Sequence, residues 1–558
     1  EERYGREALE EEGLTVTTTL DYELQKIAEE TVLEYARKNK ETFDAENAAL
    51  AVLNPRSGEI LALVGSRDYF DKEIDGNFNA TLAFRQPGSA FKPFVYAAAL
   101  RKGFTPETVV FDVPTEFSTF CNPDGTPLKA GDEDKCYKPG NYDGKHIGPV
   151  TLRNALAQSI NVPSVKVLYL TGLQESLSLA RDLGITTLTT PERYGLTLVL
   201  GGGEVKLLEL TSAYGVFAAD GVRAVPAAVL RVLNKEGTVL EEWRGGSERV
   251  LEEQVAQKIN DMLSDNRARA PAFGERSPLY FPGRAVAAKT GTTNDYRDAW
   301  IIGYTPSVVV GAWAGNNDNR PMQKKVAAFI VAPLWNAFMQ EVLKRVPAET
   351  FRTPPEENRD TLPPILRGIW QGGQTYVVDK LSGKLATEFT PPELREERAV
   401  REVHSILYWI DKAAPSLRRG SAPTSDPQFP YWEYAVRAWA AERGLGDETA
   451  AAVPTEKDTL HTPETALRVS LLSPAVEEKL APGGTLLARA AITSRFAITR
   501  VNFFVDTVFV GSATRAPWQL QTPLAELGLS RGSHTLRAVA YDGVENRGDT
   551  SVVFVVSE

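Results

Sequence analysis

The chain has 558 residues and a formal net charge of −11, and at roughly 150 residues per domain its length suggests about three or four domains. Apolar residues make up 42% and charged residues 24%, which excludes a collagen-like, low-complexity or wholly disordered chain. The acidic balance argues against a nucleic-acid partner, and no run approaches the ~18 apolar residues of a membrane helix.

The first half of the chain predicts one α+β domain. A helix should follow Asp21, a suitable N-cap, because apolar residues then recur at helical spacing. Strand pairs are predicted at residues 48–53 with 60–64, and at 299–304 with 308–313. Further helices are predicted at residues 91–100, 151–158, 207–219 and 327–346. Strands at both ends with helices between them indicate a sheet assembled from distant segments.

Beyond residue 347 the composition changes. Prolines and charged residues at 353–364 indicate a linker, and the chain from there to about residue 463 is mixed. Strand-like runs separated by turn residues then predict a β-sandwich, at residues 469–472, 486–492, 501–510, 535–541 and 552–556. The predicted organisation is a junction segment with a helix (1–45), an α+β domain (46–347), a connecting region (348–463) and an immunoglobulin-like sandwich (464–558).

Cysteines and histidines are few. Cys121 and Cys136 enclose a short polar loop, and a bond between them would be worth roughly 3 kcal/mol in the chain-entropy model. Such a bond needs an oxidising compartment, so the sequence leaves open whether they are paired or free. The histidines are scattered without ligand spacing, and we therefore expect no metal site: they are His146, His404, His461 and His534.

The first of three chemical motifs pairs Ser89 with Lys92 at the start of an apolar helix. At this spacing the lysine amine can reach the serine hydroxyl. A lysine acts as a base only when it is neutral, so its pKa has to fall from about 10.4 towards 7 or 8. Burial and a second cation nearby would lower the pKa in this way. Alone the pair is weak evidence, because any solvated helix face can carry it.

The second motif places Ser159 and Asn161 directly after a predicted helix. The hydroxyl can relay a proton to a leaving amine and the amide can orient a substrate backbone, although Ser-x-Asn is also a common cap or turn. Another Ser-x-Asn, Ser264-Asp265-Asn266, is rejected because it lies in a polar loop shortly before the third motif.

The third motif follows a strand-like run and consists of Lys289, Thr290, Gly291 and Thr292. A cation and two hydroxyls on one strand form an edge that can bind a carboxylate. Gly291 leaves room where a substrate backbone has to come close. The alternative is an ordinary strand that runs into a turn.

In this order the three motifs resemble the serine acyl-transfer signature of penicillin-binding proteins and serine β-lactamases. Further segments are similar to class A, bifunctional penicillin-binding proteins: Phe84–Pro93, Asn141–Asp143, Val150–Arg153, Gly201–Glu204, Asp298–Trp300 and Trp313–Asn316. Residues 13–21 resemble that family's junction between glycosyltransferase and transpeptidase domains. Residues 267–274 and the C-terminal sandwich resemble the 1C-type subset.

The resemblance implies an α+β transpeptidase domain of the serine β-lactamase/penicillin-binding type, with an antiparallel sheet flanked by helices. It implies a cofactor-free peptidoglycan D,D-transpeptidase of the periplasm or cell envelope, with a membrane anchor and a glycosyltransferase domain at the N-terminus. Because the sequence begins at the junction, with Glu1 rather than Met, we expect both to be missing here. The implied partners are stem peptides ending in D-Ala-D-Ala, an amine acceptor and β-lactams.

By the same resemblance, Ser89 attacks the carbonyl between the two terminal D-alanines while Lys92 takes the serine proton. Ser159 passes a proton to the departing amine, and Asn161 holds the substrate amide.

The resemblance assigns the binding of the terminal carboxylate to Lys289, Thr290 and Thr292, and Lys289 also helps to keep the first lysine neutral. The oxyanion would lie between the backbone N–H groups of Ser89 and Thr292.

Three alternatives remain open at this point. A D,D-carboxypeptidase or a serine β-lactamase shares the acylation step but sends water to the acyl-enzyme. A non-catalytic β-lactam sensor is a less favoured third class. The sandwich is either a module that binds the cell wall or divisome or elongasome proteins, or a stabilising appendage.

Overall fold

A computed structural model of the chain describes residues 4, 13–356, 359–371, 375–417, 425–448 and 453–557. Residues 1–3 and 5–12 of the predicted junction segment (1–45) therefore lie outside the described residues. The chain divides into a first unit, Glu1–Trp370 with Val403–Gly446, and a second unit, Gln371–Glu402 with Asp447–Glu558. Among the described helices, none combines the length and the apolar character needed to cross a membrane.

The first unit carries both helices and strands. Its strands are β1 (Thr15–Thr18), β2 (Asn47–Leu53), β3 (Ile60–Val64), β4 (Val109–Asp112), β5 (Gly148–Thr151), β6 (Val222–Ala224), β7 (Val229–Leu233), β8 (Val239–Glu242), β9 (Ser247–Arg249), β10 (Ala287–Thr292), β11 (Asp298–Thr305) and β12 (Val308–Gly315). Its helices are α1 (Tyr22–Phe43), α2 (Lys92–Arg101), α3 (Leu152–Ala157), α4 (Asn161–Thr171), α5 (Leu173–Asp182), α6 (Leu207–Ala218), α7 (Glu253–Ser264), α8 (Asn266–Phe273), α9 (Ala327–Ile330), α10 (Ala332–Leu343), α11 (Ile406–Trp409) and α12 (Phe429–Glu442).

The centre of this unit is an antiparallel sheet in the order β10-β11-β12-β2-β3. Every residue of β2, β11 and β12 is buried, because helices cover both faces of the sheet. Alternate residues of β2 face opposite layers: Leu50 packs in the layer that contains α1 and α10, and Ala51 packs in the layer that contains α2 and α6. The α+β fold expected from the sequence is confirmed.

Most predicted elements of the first unit are confirmed, with one correction. Asp21 caps α1, since its carboxylate accepts from the Leu24 amide at 3.0 Å, and both predicted strand pairs are present. The single helix predicted at residues 327–346 is wrong: the structure has α9 and then α10. Pro333 lies in the first turn of α10, where its missing N–H costs nothing.

The predicted connecting region, residues 348–463, is shared between the two units. Helix α12 belongs to the first unit, where Trp432 is 1% exposed and its ring centroid lies 6.1 Å from that of Phe117 and 5.4 Å from that of Tyr169. Packing of this aromatic side chain holds the helix on the earlier part of the chain, a relation that no local pattern reveals.

The loop beneath α12 is closed by a disulfide between Cys121 and Cys136. The Tyr431 hydroxyl of α12 donates to the Cys121 carbonyl at 2.9 Å, and the Gln428 amide donates to the Phe117 carbonyl at 2.8 Å. The helix and the disulfide loop are thus joined by polar as well as aromatic contacts.

The second unit consists of strands and one short helix. They are β13 (Thr375–Asp379), β14 (Arg395–Ala399), β15 (Arg468–Ser473), β16 (Glu478–Leu480), β17 (Thr485–Thr493), β18 (Ile498–Val505), β19 (Val508–Ala513), β20 (Gln519–Pro523), α13 (Leu524–Leu527), β21 (Gly532–Asp542) and β22 (Arg547–Val556). Strands β13 and β14 form a hairpin, and the others form sheets in the orders β15-β17-β20 and β16-β22-β21-β18-β19.

The predicted immunoglobulin-like sandwich is confirmed, but the strand predicted at residues 501–510 is wrong. It is two strands, β18 and β19, which turn at Asp506, where φ is +54°. Asp tolerates this left-handed backbone better than most residues other than glycine and asparagine, and without a Gly or Pro the turn carries no strong sequence signal.

Candidate active site

Ser89 lies in a tight 3₁₀ turn, Gly88–Phe91, that leads into α2. This turn is pressed against β10: a Cβ on Gly88 would come 2.4 Å from the Thr292 carbonyl oxygen, and one on Gly291 would come 2.1 Å from the Pro87 oxygen. Side chains at either position would push the two segments apart. The glycines therefore fix the distance between the serine and the edge strand of the sheet.

The role expected for Gly291 is refined by this packing. From the sequence we attributed its missing side chain to the approach of a substrate backbone. In the structure that space is taken by the turn that carries Ser89, at Pro87 and Ala90. The glycine is thus required before any substrate arrives.

Lys92 follows Ser89 by one turn and has no exposed surface. Its amine donates to the carbonyls of Ser159 at 2.7 Å and Ile160 at 3.2 Å, and to Oδ1 of Asn161 at 2.9 Å. The first and second sequence motifs are therefore joined directly through the lysine amine.

Burial lowers the pKa of Lys92 well below its usual 10.5, and the nearby charge of Lys289 lowers it further. Both causes were expected from the sequence. Within the described residues, no hydrogen bond joins this amine to the Ser89 hydroxyl. Contacts of this kind are often long until a substrate is bound.

Ser159 connects the second motif to the third. Its hydroxyl oxygen accepts from the Lys289 amine at 2.7 Å, and its φ is +63°, a backbone conformation that costs a residue other than glycine energy and clusters at functional sites. The Ser-x-Asn sequence rejected above lies elsewhere, although the polar loop expected for it is wrong: Ser264 is the last residue of α7 and Asp265 caps α8. The Ser264 hydroxyl donates to the Asp261 carbonyl.

Lys289 is 3% exposed and also donates to the Thr290 carbonyl at 2.9 Å. Burial lowers its pKa to about 7, and the charge of Arg269 contributes. Arg269 is itself 3% exposed and donates to the carbonyls of Leu263 and Leu279. Its segment was noted in the sequence, but its proximity to the third motif was not.

Asn141 is a further residue that the site analysis missed, although its segment contributed to the resemblance. Its Oδ1 accepts from the backbone amides of Asn161 at 3.0 Å and Val162 at 3.2 Å, and its Nδ2 donates to Asp112 at 2.7 Å. It therefore holds the first turn of α4, which begins at Asn161. Both polar atoms of the Asn161 side chain are held, because Oδ1 accepts from Lys92 and Nδ2 donates to the Gly140 carbonyl at 3.0 Å.

The hydroxyls of the third motif lie beside the serine turn. Thr292 Oγ1 accepts from the Ala327 amide at 2.9 Å, so its own proton is available to a ligand. A Cβ built on Gly88 would lie 2.7 Å from the Thr292 backbone nitrogen, which places that nitrogen next to the turn. Thr290 is 8% exposed and lines the same cleft.

These residues open into a cleft of about 660 Å³. Its lining includes Ser89, Ser159, Asn161, Thr290 and Thr292. Its rim carries two strongly exposed aromatic side chains, Tyr142 and Phe329, each 61% exposed. The nucleophile and the hydroxyls thus face one space that is large enough for a peptide end, and the two buried amines lie directly behind it, bonded to Asn161 and Ser159.

Two family matches cover separate parts of the chain. Residues 48–340 match the family described as penicillin binding protein transpeptidase domain, and residues 468–538 match the family described as bacterial Ig domain. Penicillin-binding protein 2D of Bacillus subtilis is 32% identical over 355 residues, covering 62% of this chain and 48% of that protein. Penicillin-binding protein 1A of Aquifex aeolicus is 36% identical over 310 residues, covering 55% of this chain and 40% of that protein. The chain thus spans about half or less of the length of these relatives.

Solved structures are similar over the same region. The PonA1 protein of Mycobacterium tuberculosis in complex with penicillin V superposes with a TM-score of 0.53 at 26% identity, covering 63% of this chain and 92% of that chain. Penicillin-binding protein 1A from Haemophilus influenzae gives a TM-score of 0.52 at 20% identity, covering 71% of this chain and 74% of that chain. The second comparison concerns the fold alone.

Proposed function

Because the chain belongs to the penicillin-binding protein transpeptidase family, we propose that it is a peptidoglycan D,D-transpeptidase that works through an acyl-enzyme on Ser89. The observation that carries the proposal is the convergence of the three motifs in one cleft. Lys92 Nζ lies 2.9 Å from Asn161 Oδ1, and Lys289 Nζ lies 2.7 Å from Ser159 Oγ. A buried amine beside a serine and a second amine beside a hydroxyl suit acyl transfer.

In the first half-reaction, Ser89 Oγ attacks the carbonyl carbon between the two terminal D-alanines of a stem peptide. Lys92, neutral because its pKa is depressed, takes the hydroxyl proton. The C–N bond then breaks, and Ser159 passes a proton to the departing amine. One D-alanine leaves, and the shortened peptide remains as an ester of Ser89.

The substrate is held by its charged end. In its ammonium form Lys289 attracts the terminal carboxylate, and the hydroxyls of Thr290 and Thr292 donate to it. The backbone N–H groups of Ser89 and Thr292 stabilise the oxyanion, a contribution of roughly 2.7 to 4 kcal/mol per donor. An amine from a second stem peptide then attacks the ester, forming the cross-link and freeing Ser89.

The setting of this activity belongs to the same proposal. Peptidoglycan lies in the cell envelope, so we place the catalytic unit outside the cytoplasm, where the disulfide of Cys121 and Cys136 can persist. We assign no glycan polymerisation to these residues. The sandwich is a candidate module for binding the cell wall or other envelope proteins.

The fate of a penicilloyl adduct tests the transpeptidase assignment. A β-lactam mimics the D-Ala-D-Ala end and also acylates Ser89. Its ring opens in that step, and the opened molecule stays attached through the ester bond. We expect intact-mass spectrometry to show a single adduct that persists for hours, because none of the described residues that line the cleft is an Asp, Glu or His that could activate water for deacylation. Release within seconds would identify a β-lactamase, and fast release of D-alanine from a pentapeptide without cross-linking would identify a carboxypeptidase.

The pH dependence of acylation tests the role of Lys289. Burial, with Arg269 second, lowers the pKa of Lys289 to about 7, so the cation that attracts the carboxylate is present below that pH and lost above it. We expect the second-order rate of acylation by benzylpenicillin to fall above neutrality, by up to about tenfold per pH unit. Stopped-flow fluorescence measures the profile.

An Arg269→Met variant provides the matched comparison. Removing a neighbouring cation raises the pKa of Lys289, so the alkaline limb should move to higher pH. A rate that stays flat through neutral and alkaline pH, or a limb that does not move in the variant, would contradict the assigned role of Lys289.

A further inference from the structure

A buried cluster of two carboxylates and one imidazole lies in the second unit and includes no residue assigned to the candidate active site. Asp379 is at the end of β13, and Asp458 and His461 lie in the segment before the sandwich. Their exposed fractions are 0%, 2% and 0%. His461 Nδ1 lies 2.6 Å from Asp458 Oδ2 and 3.5 Å from Asp379 Oδ2.

The surroundings of the cluster direct its ligand atoms inward. Asp379 Oδ1 accepts from the backbone amides of Leu381 at 3.0 Å and Ser382 at 2.6 Å. Asp458 Oδ1 accepts from the Leu460 amide at 3.0 Å. In each carboxylate Oδ1 therefore accepts from the backbone and Oδ2 faces the imidazole; Asp458 Oδ2 also accepts from the Thr390 hydroxyl at 3.1 Å.

His461 is oriented by its second nitrogen. Nε2 lies 2.8 Å from the Val544 carbonyl oxygen, and because a carbonyl only accepts, Nε2 carries the hydrogen. A backbone carbonyl on the outer nitrogen is the usual partner of a metal-binding histidine, since it turns the lone pair of the other nitrogen towards the ion.

The atom Asp379 Oδ2 has no hydrogen-bond partner among the described residues, although its side chain is completely buried. It lies 3.5 Å from His461 Nδ1, so it faces the same point as that nitrogen and Asp458 Oδ2 without bonding to either. A buried carboxylate oxygen without a partner is costly, and a cation between the three atoms would supply one.

We propose that Asp379 Oδ2, Asp458 Oδ2 and His461 Nδ1 bind a zinc ion that holds the second unit together. A divalent cation with two carboxylates and a neutral imidazole brings the net charge to zero. One nitrogen and two oxygens suit zinc, with a water or hydroxyl in the fourth position, whereas calcium and magnesium take more oxygen ligands. The ion replaces the proton between His461 and Asp458, so binding releases about one proton.

Such an ion would join three separated stretches of the chain: the end of β13, the segment that carries Asp458 and His461, and the turn at Val544 between β21 and β22. The expectation of no metal site came from the spacing of the histidines alone. This cluster uses one histidine, and its first carboxylate lies far upstream of the other two residues. The proposal does not depend on the transpeptidase assignment.

Zinc binding by the whole, untagged chain tests the proposal. After dialysis against a chelator, zinc chloride is titrated by calorimetry in two buffers of different ionisation enthalpy, and bound metal is counted after gel filtration. We expect one zinc per chain, release of about one proton, and a higher unfolding temperature with zinc present. No zinc retained by the unmodified chain would overturn the proposal.

Two variants locate the site. Asp379→Asn keeps an oxygen for the amides of Leu381 and Ser382 but removes the charge, and should weaken zinc binding by more than about 100-fold, because even partners outside the ligand set are worth 10–100-fold. The control is His534→Gln, since His534 also contacts a carboxylate (Asp506, 3.0 Å) and a carbonyl (Ser530, 2.8 Å), but its carboxylate is 46% exposed. Binding that survives Asp379→Asn, or is lost in His534→Gln, would place the zinc elsewhere.

Discussion

Replacing Ser89 with Ala will abolish covalent labelling of the chain by a fluorescent penicillin. The reason is chemical, because no other described hydroxyl shares the turn that Gly88 and Gly291 press against β10. The change removes one atom from a half-buried side chain that makes no recorded hydrogen bond, so the free energy of unfolding should change by less than about 0.5 kcal/mol. In-gel fluorescence and thermal unfolding measure the two effects.

The control for this experiment is Ser264→Ala. Ser264 belongs to the other Ser-x-Asn sequence, and its hydroxyl donates to the Asp261 carbonyl within α7. Labelling should be unchanged in this variant. Undiminished labelling of Ser89→Ala would refute the assignment of the nucleophile.

Replacing Lys92 with Met should slow acylation by about 10²- to 10⁴-fold, the usual contribution of a general base. The variant keeps a buried side chain of similar length but leaves the carbonyls of Ser159 and Ile160 and the Asn161 side chain without their donor. That loss should cost about 1–3 kcal/mol of stability. Acylation rates are therefore compared at a temperature where both proteins are folded.

Lys166→Met separates catalysis from stability. Like Lys92, Lys166 is buried, with 1% of its surface exposed. Burial lowers its pKa to about 7, and its amine donates to the Phe111 carbonyl at 2.7 Å. Unlike the amine of Lys92, this amine makes no described hydrogen bond to a residue of the three motifs. This variant should lose comparable stability and keep the rate of acylation. Equal rate losses in the two variants would mean that Lys92 acts only through folding.

The elements that local pattern specifies were predicted well. The N-cap at Asp21 and the short apolar strands of the central sheet depend on neighbours a few residues away, and the structure confirms them. The division into α9 and α10 was missed because apolar residues continue through it, and the turn at Asp506 was missed because apolar runs on both sides leave only Asp506 and Thr507 to mark it. In each case a backbone break lies within a run that is uniformly apolar or strand-like.

Prediction of the site from the sequence was limited in the same way, because its contacts join residues that are far apart along the chain. The three motifs identify Ser89, Lys92 and Lys289 by type and spacing, since their chemistry requires those residues. The sequence does not reveal that the amine of Lys92 binds the carbonyl of Ser159, or that Arg269 lies near Lys289, because these contacts join segments separated by many residues. Packing of the whole first unit decides them.

The passage of the chain between the two units has a consequence for synthesis on the ribosome. All residues of the three motifs have been made once Thr292 is added, yet α12, which covers Phe117 and Tyr169, is complete only at Glu442. The β13–β14 hairpin is made before then, but His461 follows about 3–12 seconds after the hairpin at the usual rate of translation. Each unit therefore needs a segment that is translated after part of the other, and the first unit is completed only when most of the chain has been made.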